Sequence, residues 1–227
     1  MKTILVTGAA GNLGKSVVEH LQQQGYLVLA TFSSDRDLHL YDHLPNVRPY
    51  VVNVLDEASI TTFMTDTSDF DIRAAVLLVG GFAMGRIQQT DVRLLEKMID
   101  LNFVSAFNLV KPLMCRFEQR GGGQFVLIGS RPTLNPTEGK DVFAYAMSKA
   151  LVFELAKLIN AEGKHAHTTA TVVVPSTLDT PANRTAMPDA DPAHWVPTER
   201  IADLITFLIS DTGRMTRETV VKIYNRA

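Results

Sequence analysis

The chain has 227 residues, 46% of them apolar and 20% charged, the balance of a folded globule with room for a substantial core. A formal net charge of −2 gives no overall field to attract nucleic acid or an anionic membrane, so any anionic ligand must be held by local features. The one cysteine, Cys115, excludes an internal disulfide and fits a reducing compartment, and its apolar helical surroundings predict a buried thiol. The first residues enter a strand pattern directly and no apolar run is long enough to span a bilayer, so the expected location is the cytoplasm.

Thr3–Val6 is a short apolar run with β-branched members that leads into the glycine-rich Thr7–Gly14. Leu13, Val17, Val18 and Leu21 then recur at helical spacing, predicting a helix from Leu13 to about Gln24, stopped by Gly25. Tyr26–Phe32 reads as a second buried strand. Arg48–Val54 is strand-like, Glu57–Met64 helical, and Ala74–Val79 a buried strand ending at Gly80–Gly81. A long helical stretch from about Asp91 to Glu118 is expected to bend near Pro112. Gln124–Gly129 predicts a strand and Val142–Asn160 a long helix. Thr168–Pro175 is a strand, Thr198–Ser210 a helix and Thr219–Tyr224 a last strand.

Apolar strands alternating with helices predict an α/β fold: a doubly wound parallel sheet of the Rossmann type, about seven strands with helices on both faces. Residues 1–227 are read as one domain. Thr180–Pro197 holds Pro181, Pro188, Pro192 and Pro197, lacks periodicity, and is expected to be a substrate loop.

Gly8, Gly11 and Gly14 join the first strand to the first helix. Glycines there permit a tight turn and let a pyrophosphate approach the free N–H groups around Asn12 and Leu13. Lys15 follows at the wrong spacing for a P-loop. The second strand ends Phe32-Ser33-Ser34, with no carboxylate before Asp35. Ser33, Ser34 and Arg36 could take a 2′-phosphate, which favours NADPH, with NADH possible.

Tyr145 and Lys149 are four apart in a helical pattern and share a face. An ammonium beside a phenol is expected to lower its pKa and make it a usable acid or base. Ser130 closes the preceding strand, on the side where nucleotide folds bind ligands.

Together these motifs resemble the short-chain dehydrogenase/reductase family over essentially the whole chain: Thr7-Gly8 through Gly14, Asn102, Ser130, Tyr145-Ala146-Met147-Ser148-Lys149, and Pro175 through Thr180. The resemblance implies an NAD(P)-dependent oxidoreductase acting on a small carbonyl or alcohol. Tyr145 would be the proton donor, Lys149 would bind the nicotinamide ribose and tune Tyr145, Ser130 would polarise the substrate, and Asn102 would hold a relay water. Asn53 and Val54 would contact adenine, Gly80 and Gly81 would floor the cofactor site, and Pro175, Leu178 and Thr180 would face the nicotinamide. Val79-Gly80-Gly81 stands where Asn-Ala-Gly is usual. Leu178–Arg184, Met187–Asp191, Trp195–Pro197 and Phe82 are similar to the dihydropteridine reductase branch, which makes a quinonoid pterin an alternative substrate.

Other residues carry less. His39 and His43 lack a third ligand in sequence reach, so no metal site is expected. Arg116, Arg120 and Arg131 have no aromatic interleaving, which argues against nucleic acid. A non-catalytic dinucleotide sensor is the alternative from another class, since fold does not fix function. Phe82, Met187 and Trp195 are candidates to line an apolar substrate pocket. The resemblance also implies a homodimer or homotetramer, paired through helices near Asn102–Arg116 and Val142–Ile159.

Overall fold

The computed structural model describes residues 1–226. β1 (Thr3–Thr7), α1 (Asn12–Gln23), β2 (Leu27–Phe32) and a 3₁₀ segment (Asp35–Tyr41) come first, followed by β3 (Val47–Val51), α2 (Glu57–Asp66) and β4 (Ile72–Leu77). A second unit has α3 (Val92–Ile99), α4 (Ser105–Gln119), β5 (Gly123–Ile128), and the short α5 (Arg131–Leu134) and α6 (Pro136–Gly139). It continues with α7 (Phe143–Glu162) and β6 (Thr168–Pro175). The chain then forms β7 (Leu178–Asp179), α8 (Pro181–Ala186), β8 (Val196–Pro197), α9 (Thr198–Ile209) and β9 (Val220–Ile223).

Seven strands pair in parallel in the order β3-β2-β1-β4-β5-β6-β9, as the alternating pattern predicts. The strands are apolar on both faces because both are covered. Leu5 and Leu29 pack with Phe63 of α2, Leu109 and Leu113 of α4 and Ala156 of α7. Ile4 and Val6 point the other way, into a layer formed by Val17 and Leu21 of α1 and Ile201 and Ile205 of α9. The strand order reverses between β1 and β4, which opens a crevice at the carboxyl edge where such sheets bind ligands. The Thr7 hydroxyl accepts the Leu78 N–H at 3.0 Å there, fixing both strand ends.

Three expectations need correction. The helical stretch expected over Asp91–Glu118 forms with Pro112 inside α4, and it carries a π turn at Asp100–Val104 that holds Asn102. β3 stops at Val51, so Asn53 and Val54 lie beyond it. Thr180–Pro197 is not structureless: Thr180 caps α8, and β7 pairs with β8 so that the two ends of the excursion are stapled together. Cys115 is exposed, because it lies on the outer flank of α4 toward α2, while Leu113 and Phe117 take the core face. It lines a surface cavity of about 430 Å³ with Met64, Lys111 and Pro112.

Candidate active site

The first βα turn is shaped for close approach. Gly8 sits at φ +63, a left-handed conformation that side chains disfavour. A Cβ on Gly14 would lie 2.3 Å from the Gly8 carbonyl oxygen, so only glycine lets α1 start directly on the turn. Gly11 is the N-cap of α1 and no side chain caps that end. The N–H groups of the first turn are thus left for an anion, a cradle that fits the pyrophosphate of a dinucleotide.

The predicted catalytic side chains come together beside it. The π turn aims Asn102 at the end of β4, where its Oδ1 accepts the Gly81 N–H and its Nδ2 donates to the Gly81 carbonyl, both at 3.0 Å. Nδ2 also donates to the Ser148 hydroxyl at 3.0 Å, and that hydroxyl donates to the Tyr145 carbonyl at 2.8 Å. Asn102 therefore acts as a brace between β4 and α7. Lys149 Nζ donates to the Ile128 carbonyl at 2.8 Å, two residues before Ser130. The Phe82 ring meets the Tyr145 ring edge-on at 5.0 Å.

Gly80 explains the departure from an alanine at this point of the strand end. A Cβ there would fall 2.7 Å from Asn102 Oδ1 and 3.5 Å from Lys149 Nζ. Gly80→Ala is expected to push Asn102 off Gly81 and Ser148. It should cost about 1–3 kcal/mol of stability, an overpacking penalty in a site already filled. Thermal unfolding reads this directly, and an unchanged midpoint would show that Asn102 can give way freely.

Electrostatics depart from the sequence expectation at one point. Burial pushes the Tyr145 phenol above its usual value, and the neighbouring Ser130 hydroxyl pulls it part of the way back. Lys149 was expected to lower that phenol. Its ammonium is instead turned to a backbone carbonyl, and burial lowers its own pKa from 10.5 to about 8. Ser130 Oγ is buried without a hydrogen-bond partner. It therefore neighbours the phenol without a well-aligned bond. An unpaired buried hydroxyl is costly, and a substrate oxygen is the kind of group that would satisfy it.

The remaining predicted residues are spread along the same carboxyl edge. Ser33 and Arg36 are exposed and Ser34 half-buried just past β2, open to a ligand. The Asn53 side chain accepts the Leu55 N–H at 3.1 Å, and the Val54 carbonyl accepts from Asn108 at 3.1 Å. The Leu178 carbonyl accepts from Asn183 Nδ2 at 2.8 Å, while the Thr180 hydroxyl accepts the Asn183 N–H at 3.2 Å. Pro175 is buried at the end of β6. Trp195 does not line an open pocket: it is 5% exposed, and Asn225 Nδ2 donates to its carbonyl at 2.7 Å. Phe82 and Met187 remain exposed.

Two residues near the site were not singled out as functional by their own signal. Ser148 stands in the sequence only as one residue of the Tyr145–Lys149 motif, yet it links Asn102 to Tyr145. Tyr41 carried no motif at all, and its hydroxyl donates to the Ala9 carbonyl at 2.7 Å. Among the described residues no group of three or more histidine, cysteine, aspartate or glutamate side chains is placed to hold a metal, and no helix is long and apolar enough to cross a membrane.

The family profile described as short chain dehydrogenase matches residues 2–191. The chain is 29% identical over 235 residues to a dihydropteridine reductase of Dictyostelium discoideum, covering 100% of this chain and 96% of that one. It is 28% identical over 234 residues to the 3-oxoacyl-(acyl-carrier-protein) reductase FabG of Escherichia coli, covering 96% and 94%. A short-chain type dehydrogenase/reductase from Mycobacterium ulcerans superposes with a TM-score of 0.90 at 22% identity, covering 99% and 89%. The structure of ElxO with NADP bound gives 0.89 at 20%, covering 98% and 96%. At these identities the two structures speak for the fold.

Proposed function

This chain belongs to the short-chain dehydrogenase family of oxidoreductases, and from that footing we propose that it is an NADPH-dependent reductase of a small carbonyl compound with Tyr145 as its acid. The observation that carries the reading is the meeting of Tyr145, Lys149, the unpaired Ser130 hydroxyl and the Asn102 brace at one end of the crevice, beside an uncapped helix start. The bound nicotinamide supplies the hydride.

The side chains do the rest. The Ser130 hydroxyl donates to the substrate carbonyl oxygen and holds it against Tyr145. Tyr145, protonated at neutral pH and with its phenol pushed above the usual value by burial, passes its proton to that oxygen as the carbon is reduced. Lys149, which donates to the Ile128 carbonyl, would also bind the ribose hydroxyls of a bound cofactor and stabilise the phenolate left behind. The first turn of α1, Gly11 through Gly14, would hold the pyrophosphate, and Asn53, Val54, Gly80, Gly81, Leu178 and Thr180 would hold the rest of the cofactor. Ser33, Ser34 and Arg36 would hold the 2′-phosphate and set a preference for NADPH. Phe82 and Met187 give the mouth an apolar character. Phe107, Leu151 and Leu158 are exposed on α4 and α7, which supports pairing of protomers through those helices.

The test is NADPH and NADH oxidation by purified protein against a panel of ketones, aldehydes and quinonoid pterins, with affinities for both cofactors measured alongside. Turnover of a carbonyl with tighter NADPH binding is expected. Binding of dinucleotide with no turnover of any panel member would make the protein a sensor instead. The Dictyostelium relative gives a second reading a specific basis: a quinonoid dihydropteridine reductase. Pterin turnover with NADH preferred would select it, and would count against the assignment of Ser33, Ser34 and Arg36.

A further inference from the structure

The glycine-rich turn is held from the side by a residue 32 positions away. Ala9 lies in its middle, fully buried, and both its backbone polar groups are engaged. Its N–H donates to the Thr31 carbonyl at 3.2 Å, and its carbonyl accepts the Tyr41 hydroxyl at 2.7 Å. Tyr41 ends the 3₁₀ segment that follows β2, is 3% exposed, and packs its ring against Phe32 with centroids 6.0 Å apart. The same segment begins at Asp35 and carries Arg36. One side chain thus ties the segment beside the 2′-phosphate residues to the turn that would receive the pyrophosphate.

We propose that Tyr41 is a positioning residue for the dinucleotide, holding the Ala9 carbonyl away from the phosphates so that only N–H groups face them. The inference rests on the reductase reading above. A carbonyl oxygen rotated toward a pyrophosphate would repel it, whereas one bound by a buried donor cannot rotate without losing that bond. Burial and the Glu19 carboxylate both push the Tyr41 phenol above its usual value, so it remains a donor throughout the working pH range. Among the described residues, no other side chain bonds to the Ala9 carbonyl. The role is therefore not shared.

Tyr41→Phe keeps the ring against Phe32 and removes the donor. It should raise the dissociation constants of NADPH and of ADP-ribose together, by roughly tenfold, since a lost bond to a buried carbonyl is worth about that factor. Turnover at saturating cofactor and the KM of the carbonyl substrate should stay within about twofold. A general loss of folding would instead lower the active fraction and leave the dissociation constants where they were, so the two effects separate. Where the Phe variant folds poorly, the dissociation constants are read by isothermal titration on its folded fraction isolated by size-exclusion chromatography. Wild-type protein that binds no dinucleotide would sink the reductase reading. Wild-type protein that binds tightly, with Tyr41→Phe binding equally well, would overturn the role of Tyr41 alone.

Discussion

Tyr145→Phe should lower turnover by roughly 10²- to 10⁴-fold while leaving NADPH affinity nearly unchanged, the size of effect expected when a positioned proton donor is removed. The substitution is small in every other respect. The ring keeps its edge-on contact with Phe82, and the Ser148 hydroxyl still finds the backbone carbonyl of residue 145. Stability should therefore change little, and a loss of rate can be assigned to the missing proton. Steady-state assays and a binding titration on the same preparation give the split. Turnover equal to wild type would remove Tyr145 from the mechanism, since no other change in the site could compensate for an absent donor.

Lys149→Met should make the protein more stable at neutral pH and nearly inactive. The Lys149 ammonium is buried, 6% exposed, and its pKa falls from 10.5 to about 8 on folding. The unfolded chain then holds the proton more tightly than the folded one. Between pH 8 and 10.5 the unfolded state carries more protons, so stability rises with pH across that window. The penalty is present in full below pH 8 and disappears above the unfolded value. A shift of this size corresponds to about 3 kcal/mol, partly offset by the bond to Ile128. Methionine fills the same space without a charge and should keep that stability at every pH. Melting temperatures should therefore be higher than wild type at pH 7, with the difference shrinking toward pH 10. Equal pH dependence in the two proteins would show that the ammonium is solvated and not buried. The same titration predicts that wild-type reduction declines above about pH 8, when Lys149 loses its charge before the phenol does.

The stability gain and activity loss at Lys149 belong together. A buried charge is tolerated where function requires it, and proteins commonly lose stability at such sites.

The seven-strand parallel sheet and its helices were legible from the sequence because apolar runs bounded by glycine report burial directly, residue by residue. Tyr145 and Lys149 were legible because four residues of helix put them on one face, and the glycine turn because its spacing is local. What failed were features set by distant parts of the chain. The π turn at Asn102 leaves no local mark in the sequence, because it serves a side chain that reaches Gly81 and Ser148. Thr180–Pro197 lacked periodicity because its order comes from β7 pairing with β8 and from Asn225 holding Trp195. Cys115 was assigned to the core because apolar neighbours do not say which flank of a helix faces outward.

The amino-acid order alone determined the layers of the fold, the edge at which ligands meet it, and which side chains could do chemistry there. Only the packed chain decided that Lys149 faces a carbonyl with its pKa lowered, that burial raises the Tyr145 phenol, and that Tyr41 reaches back to Ala9. Desolvation and long-range hydrogen bonds depend on what surrounds an atom in space, and no spacing along the chain encodes that.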